Sequence, residues 1–265
     1  MVCVAMLLLV SMLSILGPWL SSHSLEAIAF DESFISPTFK DGRFFGTDDL
    51  GRDLFVRTMK GMQTTLLVAL VASAVSLVIG VVYGAFAGYV GGNIDAIMMR
   101  AVDALYAMPF IFFVILLMVV FERSFFLIFV AIGAINWLDT ARIVRGQTLS
   151  LKQRAFVDAA RLSGVSTAGV VFRHIAPNLL SVVVVYITLT IPQVILFESF
   201  LSFLGLGIQE PQTSLGALVS DGVIRMERAP WMLLYPASFL AALLMCFNFL
   251  GDGLRDALDP RSNTR

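Results

Sequence analysis

The chain has 265 residues, of which 58% are hydrophobic and 14% charged, with a formal net charge of −1 and a mean hydropathy of +0.88. Soluble domains carry about a quarter charged residues, so this composition excludes one and points to a lipid bilayer. The near-neutral charge argues against a nucleic-acid partner, and the two histidines, His23 and His174, offer no spacing for a metal.

In chain order, residues 1–20 form the first apolar run. Lipid offers the backbone no hydrogen-bond partners, so a charge-free run of roughly 18 or more residues predicts a spanning helix. The run lacks a basic leader and exceeds the roughly 7 to 15 residues of a signal-peptide core. It is expected to be retained, although Ala27-Ile28-Ala29 resembles a cleavage site. Residues 21–65 are then expected to form an external loop, which holds Lys40, Arg43, Arg52, Arg57 and Lys60, an awkward load of cations for an outer segment.

A core domain is predicted over 66–251, with spans near 66–86, 105–121, 125–141, 179–197 and 231–250, which makes about six in all. The run from 125 to 138 is short, and a buried core helix is its alternative reading. Pro109, Pro192 and Pro236 fall within these spans and are expected to kink them. Cys3 and Cys246 lie in apolar runs and read as packing thiols. Asp139 stands at the end of a span, where an ionisable group is a functional candidate. Arg142, three residues on, is its expected partner, and Arg100 and Asp103 have the same relation.

Residues 142–178 carry Arg142, Arg145, Lys152, Arg154, Arg161 and Arg173, so this loop is predicted to be cytoplasmic. Alternation then places both termini inside, with a cytoplasmic tail at 252–265. Within the loop, RAFVDAARLSGVSTAGVVFRHIAP (154–177) reads as helix, corner, helix. Phe156, Ala159, Ala160 and Ser163 share one face. Gly164 is a stop, and Ser166 is a cap for a second helix ending before Pro177. Small side chains at Ala159, Ala160 and Gly164 suit close approach by another backbone. On periodicity alone, a docking face and a solvated basic connector remain equally good readings.

The order Asp158-Ala159-Ala160, Gly164, Pro177 resembles the EAA loop of ATP-binding-cassette importer permeases, with Asp158 in place of Glu and His174-Ile175-Ala176 in place of Ile-x-Leu. The likeness covers most of the chain. GTDDLGRDLFVR (46–57), GGNIDAIMMRAVDALYAMPF (91–110), ARIVRGQTLSLKQR (141–154), ESFLSFLGLGIQEP (198–211) and GDGLRDALDPR (251–261) resemble the C-type permease subunit of peptide importers. FVAIGAINWLDTARIVRGQTLSLK is most similar to oligopeptide permeases.

This resemblance implies an all-α membrane protein of the type I importer permease fold, sitting in a bacterial cytoplasmic membrane with a cytoplasmic coupling helix. It implies a heterodimer with a B-type permease subunit, two separate ATPase subunits that bind ATP and magnesium, and an extracytoplasmic peptide-binding protein. No catalytic, cofactor or metal residue is expected on this chain, which has no GxxxxGK[ST] loop. Phe156, Asp158, Ala159, Ala160, Leu162 and Gly164 are the expected contacts to an ATPase, with Asp158 facing an arginine. Residues 202–207 are an outer gate or docking loop, or simply a hydrophobic turn. A dipeptide or nickel importer, an ion-coupled secondary transporter and, more weakly, a membrane enzyme are the alternatives. Related C-type subunits usually carry a cytoplasmic tail before the first span, which leaves open whether this start is truncated.

Overall fold

The computed structural model describes residues 2–21, 23–25, 27–39, 42–120 and 125–258. Arg261 and Arg265 of the expected tail, Lys40 of the expected loop and the side chain of Cys3 lie outside the described residues. Among the described residues there is no strand, only an isolated bridge between Thr47 and Asp53. The helices are α1 (Val2–Leu20), α2 (Leu54–Val90), α3 (Gly92–Ala107), α4 (Phe110–Val120), α5 (Phe125–Leu151), α6 (Ala155–Leu162), α7 (Thr167–Gly169), α8 (Ala176–Phe203), α9 (Leu215–Arg225) and α10 (Trp231–Leu258), with a π turn, Val170–Ile175, between α7 and α8.

Among the described residues, three helices are long and apolar enough to cross a bilayer: Leu54–Val90, Val182–Phe203 and Trp231–Ala257. A shorter apolar helix covers Val4–Leu20.

Several boundaries differ from expectation. α2 starts at Leu54, well inside the expected external loop, because Asp53 caps it: its Oδ1 accepts from the Val56 N–H at 2.9 Å. Arg57 and Lys60 in the first turns hide this start from a charge-free search. Likewise, α5 runs on to Leu151, so the first part of the expected cytoplasmic loop is helix. Pro109 does not kink a span. It separates α3 from α4, with Met108 extended before it (ψ 129°), as the residue before a proline prefers. Pro192 and Pro236 do lie inside helices.

Helix α2 is the central post. In lipid there is no hydrophobic drive between helices, so association relies on close packing. Gly80, Gly84 and Gly88 recur every fourth residue and therefore share one face. A Cβ at any of them would run into Thr140, the Ala141 backbone or Arg145 and Thr148 of α5. Along the N-terminal half of α2, Met59, Met62, Val68, Ala69 and Ala72 pack with Val114, Ile132, Val194, Ile195 and Leu243. Large apolar side chains such as Leu8, Leu9, Val78, Phe112, Leu234 and Phe249 stand exposed, as a lipid-facing surface requires.

Candidate functional site

The predicted helix, corner, helix forms a hook at the C-terminal end of α2. After α5, Lys152 donates to the Gly88 carbonyl at 3.0 Å, and Arg154 is the N-cap of α6. α6 ends in a Schellman corner: the Gly164 N–H bonds the Arg161 carbonyl at 3.0 Å and the Val165 N–H bonds the Ala160 carbonyl at 3.2 Å. Gly164 has φ +76°, a left-handed conformation that glycine adopts without strain. Ser166 then caps the next helix, its Oγ accepting from the Gly169 N–H at 3.2 Å.

That second helix does not end before Pro177. It widens into the π turn and continues as α8, with Pro177 in the first turn of α8. A proline lacks its N–H and crowds the carbonyl four residues back. The wider π spacing just ahead of it is the local adjustment that lets the spiral continue.

The six expected contact residues are not on one face. Ala160 is buried and, with Val157, packs against Tyr89, Val144, Val171 and Ile175. It seats the hook on the chain's own core and is not offered to a partner. Phe156, Asp158, Ala159, Leu162 and Gly164 are exposed, with Leu162 at 90% and Phe156 at 39%. Arg161 ties the hook to α2: its Nε donates to the Tyr89 hydroxyl at 3.0 Å and its guanidinium lies 5.0 Å from the ring centroid. Asp158 lies 3.6 Å from Arg161, an exposed pair of little energetic weight, so its carboxylate stays available.

The opposite end of α2 is built from buried charge. The Asp48 carboxylate accepts from Arg52 Nε at 2.7 Å and from Arg57 at 2.9 Å. Arg52 also meets Glu210 at 2.8 Å. Asp53 lies 3.7 Å from Arg43 and 3.5 Å from His23, and Asp49 pairs with Arg225 of α9. Burial pushes the Asp53 carboxyl above its ordinary value, although the Val56 N–H and Arg43 oppose this. Trp231 of α10 closes the cluster by donating to the Thr47 carbonyl at 3.1 Å. The segments 46–57 and 198–211, far apart in the chain, therefore meet through Arg52, Arg57 and Glu210. Of the cations that look awkward in this loop, Arg43, Arg52 and Arg57 are held by its own carboxylates.

Two expected ion pairs form differently. Arg142 reaches Asp103 at 2.7 Å and stacks over Tyr106 at 4.3 Å, while Asp139 accepts from the Tyr106 hydroxyl at 2.8 and 2.9 Å. Partners across the α3–α5 contact replace partners three residues away. A third pair has no counterpart in the helical spacing: Arg145 grips Asp95 through two bonds of 2.5 and 2.6 Å. Arg145 holds the Asp95 carboxyl below its ordinary range, against the opposing effect of burial. Glu198, fully buried in α8 and bonded by Ser202 at 2.8 Å, is likewise invisible to pattern reading, because a single carboxyl in a greasy run gives no periodic signal. In the 202–207 segment, α8 ends at Phe203 and Gly205 turns with φ +73°. Cys246 is buried in α10, as a packing thiol would be.

Among the described residues, no group of three His, Cys, Asp or Glu side chains is placed to hold a metal ion.

Residues 80–264 match the family described as binding-protein-dependent transport system inner membrane component. The oligopeptide transport system permease protein OppC of Haemophilus influenzae is 54% identical over 92% of this chain and 79% of its own length. OppC of Escherichia coli K12 is 54% identical over 96% of this chain and 84% of its own. The dipeptide transport system permease protein DppC of Bacillus subtilis is 43% identical over 96% and 79%.

Proposed function

Because the chain belongs to the binding-protein-dependent transport system inner membrane components, we propose that it is the C-type permease subunit of an ATP-binding-cassette importer that carries oligopeptides. It is a multi-pass membrane protein of a transport family and not itself the ATPase. Its partners are a B-type permease, two ATPase subunits and an extracytoplasmic peptide-binding protein, with the hook and both termini on the cytoplasmic side of the bacterial inner membrane.

The observation that carries the coupling role is the exposure of Leu162 and Phe156 on a short helix outside the apolar spans. Large apolar side chains in such a place mark a surface that a partner covers. The hook stands between α5 and α8, so a push on it reaches both. ATP shifts the equilibrium between inward-open and outward-open packings only by favouring one of them. Phe156, Asp158, Ala159, Leu162 and Gly164 form the surface that the closing ATPase pair grips, and Ala160 and Val157 form its base.

The test is uptake of a radiolabelled oligopeptide in cells lacking this chain, complemented by the wild type or by Leu162→Asp. The exposed site tolerates the change structurally, within about 0.5 kcal/mol. Uptake is expected to fall about tenfold or more, as for loss of a central apolar anchor, with normal amounts in the membrane. Unchanged uptake by Leu162→Asp, or uptake without the ATPase subunits, would overturn the reading. Vanadate-sensitive uptake separates it from an ion-coupled carrier.

A further inference from the structure

A cavity of about 790 Å³ opens between α3, α4, α5 and α8, within the roughly 300–1,000 Å³ of small-ligand sites. Its wall is apolar, with Leu105, Pro109, Phe113 and Phe200 among its residues, and four polar side chains interrupt it: Tyr106 of α3, Asn136 and Asp139 of α5 and Gln193 of α8. Asp139 sits near the middle of α5, about 18 Å along the helix from the hook at 1.5 Å per residue.

Among the described residues Asp139 makes no ion pair. The nearby guanidinium of Arg142 is spent on Asp103 and the Tyr106 ring. Tyr106 donates one proton to be shared between both carboxylate oxygens, which fixes the group and leaves lone pairs open. Asn136 uses its amide N–H on the Ile132 carbonyl at 3.2 Å, so its amide oxygen remains as an acceptor. A carboxylate on an apolar wall favours a compensating cation.

We propose that this cavity binds the peptide in transit, and that Asp139 receives its terminal ammonium group while the Asn136 and Gln193 amides take backbone polar groups. The inference rests on the oligopeptide-importer reading and adds a substrate-positioning residue to it. The ammonium is the one cation that peptides of unrelated sequence have in common. A carboxylate held by Tyr106 on an apolar wall therefore orients many peptides without selecting side chains.

The probes are tri-alanine and N-acetyl-tri-alanine, each radiolabelled, in cells with the full transporter. The same binding protein serves every variant, so its own preference cancels when variants are compared. Asp139→Asn is expected to lower tri-alanine uptake about tenfold, the order lost with one charge-assisted contact, and to leave the acetylated peptide unchanged. Asp139→Glu keeps the wild-type ratio. Gln193→Lys, at an exposed position across the cavity, places a fixed cation opposite Asp139 and lowers the ratio without altering the carboxylate, so the idea does not depend on one variant folding. A ratio unchanged in both Asp139→Asn and Gln193→Lys, or an equal loss of both peptides, overturns the assignment. Wild-type cells that take up neither peptide in an ATPase-dependent way would instead sink the importer reading itself.

Discussion

The two ends of α2 are built on opposite principles. At its N-terminal end, Asp48, Asp53, Arg52 and Arg57 are buried and interlocked, and the cluster reaches Glu210 and Arg225 far along the chain. At its C-terminal end, bonds to Tyr89 and Gly88 and the packing of Val157 and Ala160 seat the hook, and most residues of α6 face outward. A closed set of charges has one good geometry, and shifting it leaves ions unpaired in a low-dielectric interior. A short capped helix seated on one face keeps its own shape and leaves its other face open. Under the proposed coupling, the first end fixes the frame and the second receives the push.

Separating stability from transport breaks or sharpens this contrast. The largest stability effect is expected from Asp48→Ala, which removes the buried carboxylate shared by Arg52 and Arg57, leaves them the more exposed Glu210, and costs about 3 kcal/mol. Thermal unfolding of the purified transporter should show it, and a loss under about 1 kcal/mol would mean that the cluster is solvated and not a frame.

Next comes Asp95→Asn in the α3–α5 clamp, expected to cost roughly 2 kcal/mol at neutral pH, as for charged hydrogen bonds. Arg145 lowers the folded-state pKa of Asp95, so the contribution is complete above the ordinary carboxylate value and fades as pH falls through the lowered one. The gap between wild type and Asp95→Asn should therefore close on acidification, measured as unfolding temperature against pH. A gap that widens in acid would contradict the pairing.

What the sequence makes legible follows from the same contrast. The hook is local: Gly164, Ser166 and the 154–163 pattern act within a few residues, so its corner and cap can be read directly from residue order. The frame is not local. Asp48 and Glu210 are far apart in sequence, and nothing in either segment announces the other. Helical spacing pairs Arg142 with Asp139 because three residues on a helix is a short distance, whereas the α3–α5 contact brings Asp103 closer still. Ala160 falls with the docking face on spacing alone, because periodicity groups residues into faces without saying which face the core takes; Val157 and Tyr89 decide that. The helical membrane character needs only composition, but the start of α2 depends on the cap at Asp53, inside a charged stretch that a hydropathy search discards.

A smaller stability effect is expected at Gly164, where structural and functional costs can be told apart. A Cβ there meets nothing within 4 Å, so Gly164→Ala causes no clash; its cost is the left-handed backbone at φ +76°, about 1–2 kcal/mol for an L-residue. A chain that keeps the corner bears that strain and transports normally, with only a modest drop in unfolding temperature. A chain that relieves the strain by swinging α6 turns Leu162 away from its partner, and uptake falls while the cluster at the other end of α2 is unaffected. Comparing Gly164→Ala with Gly164→Asn separates these outcomes, because asparagine tolerates the left-handed region better than alanine. Asparagine should restore uptake and stability together if the corner angle is what couples the hook to the ATPase. Near-normal uptake in Gly164→Ala without a lower unfolding temperature than Gly164→Asn would mean that the corner has relaxed, that its angle is immaterial, and that the exposed side chains of α6 alone make the contact.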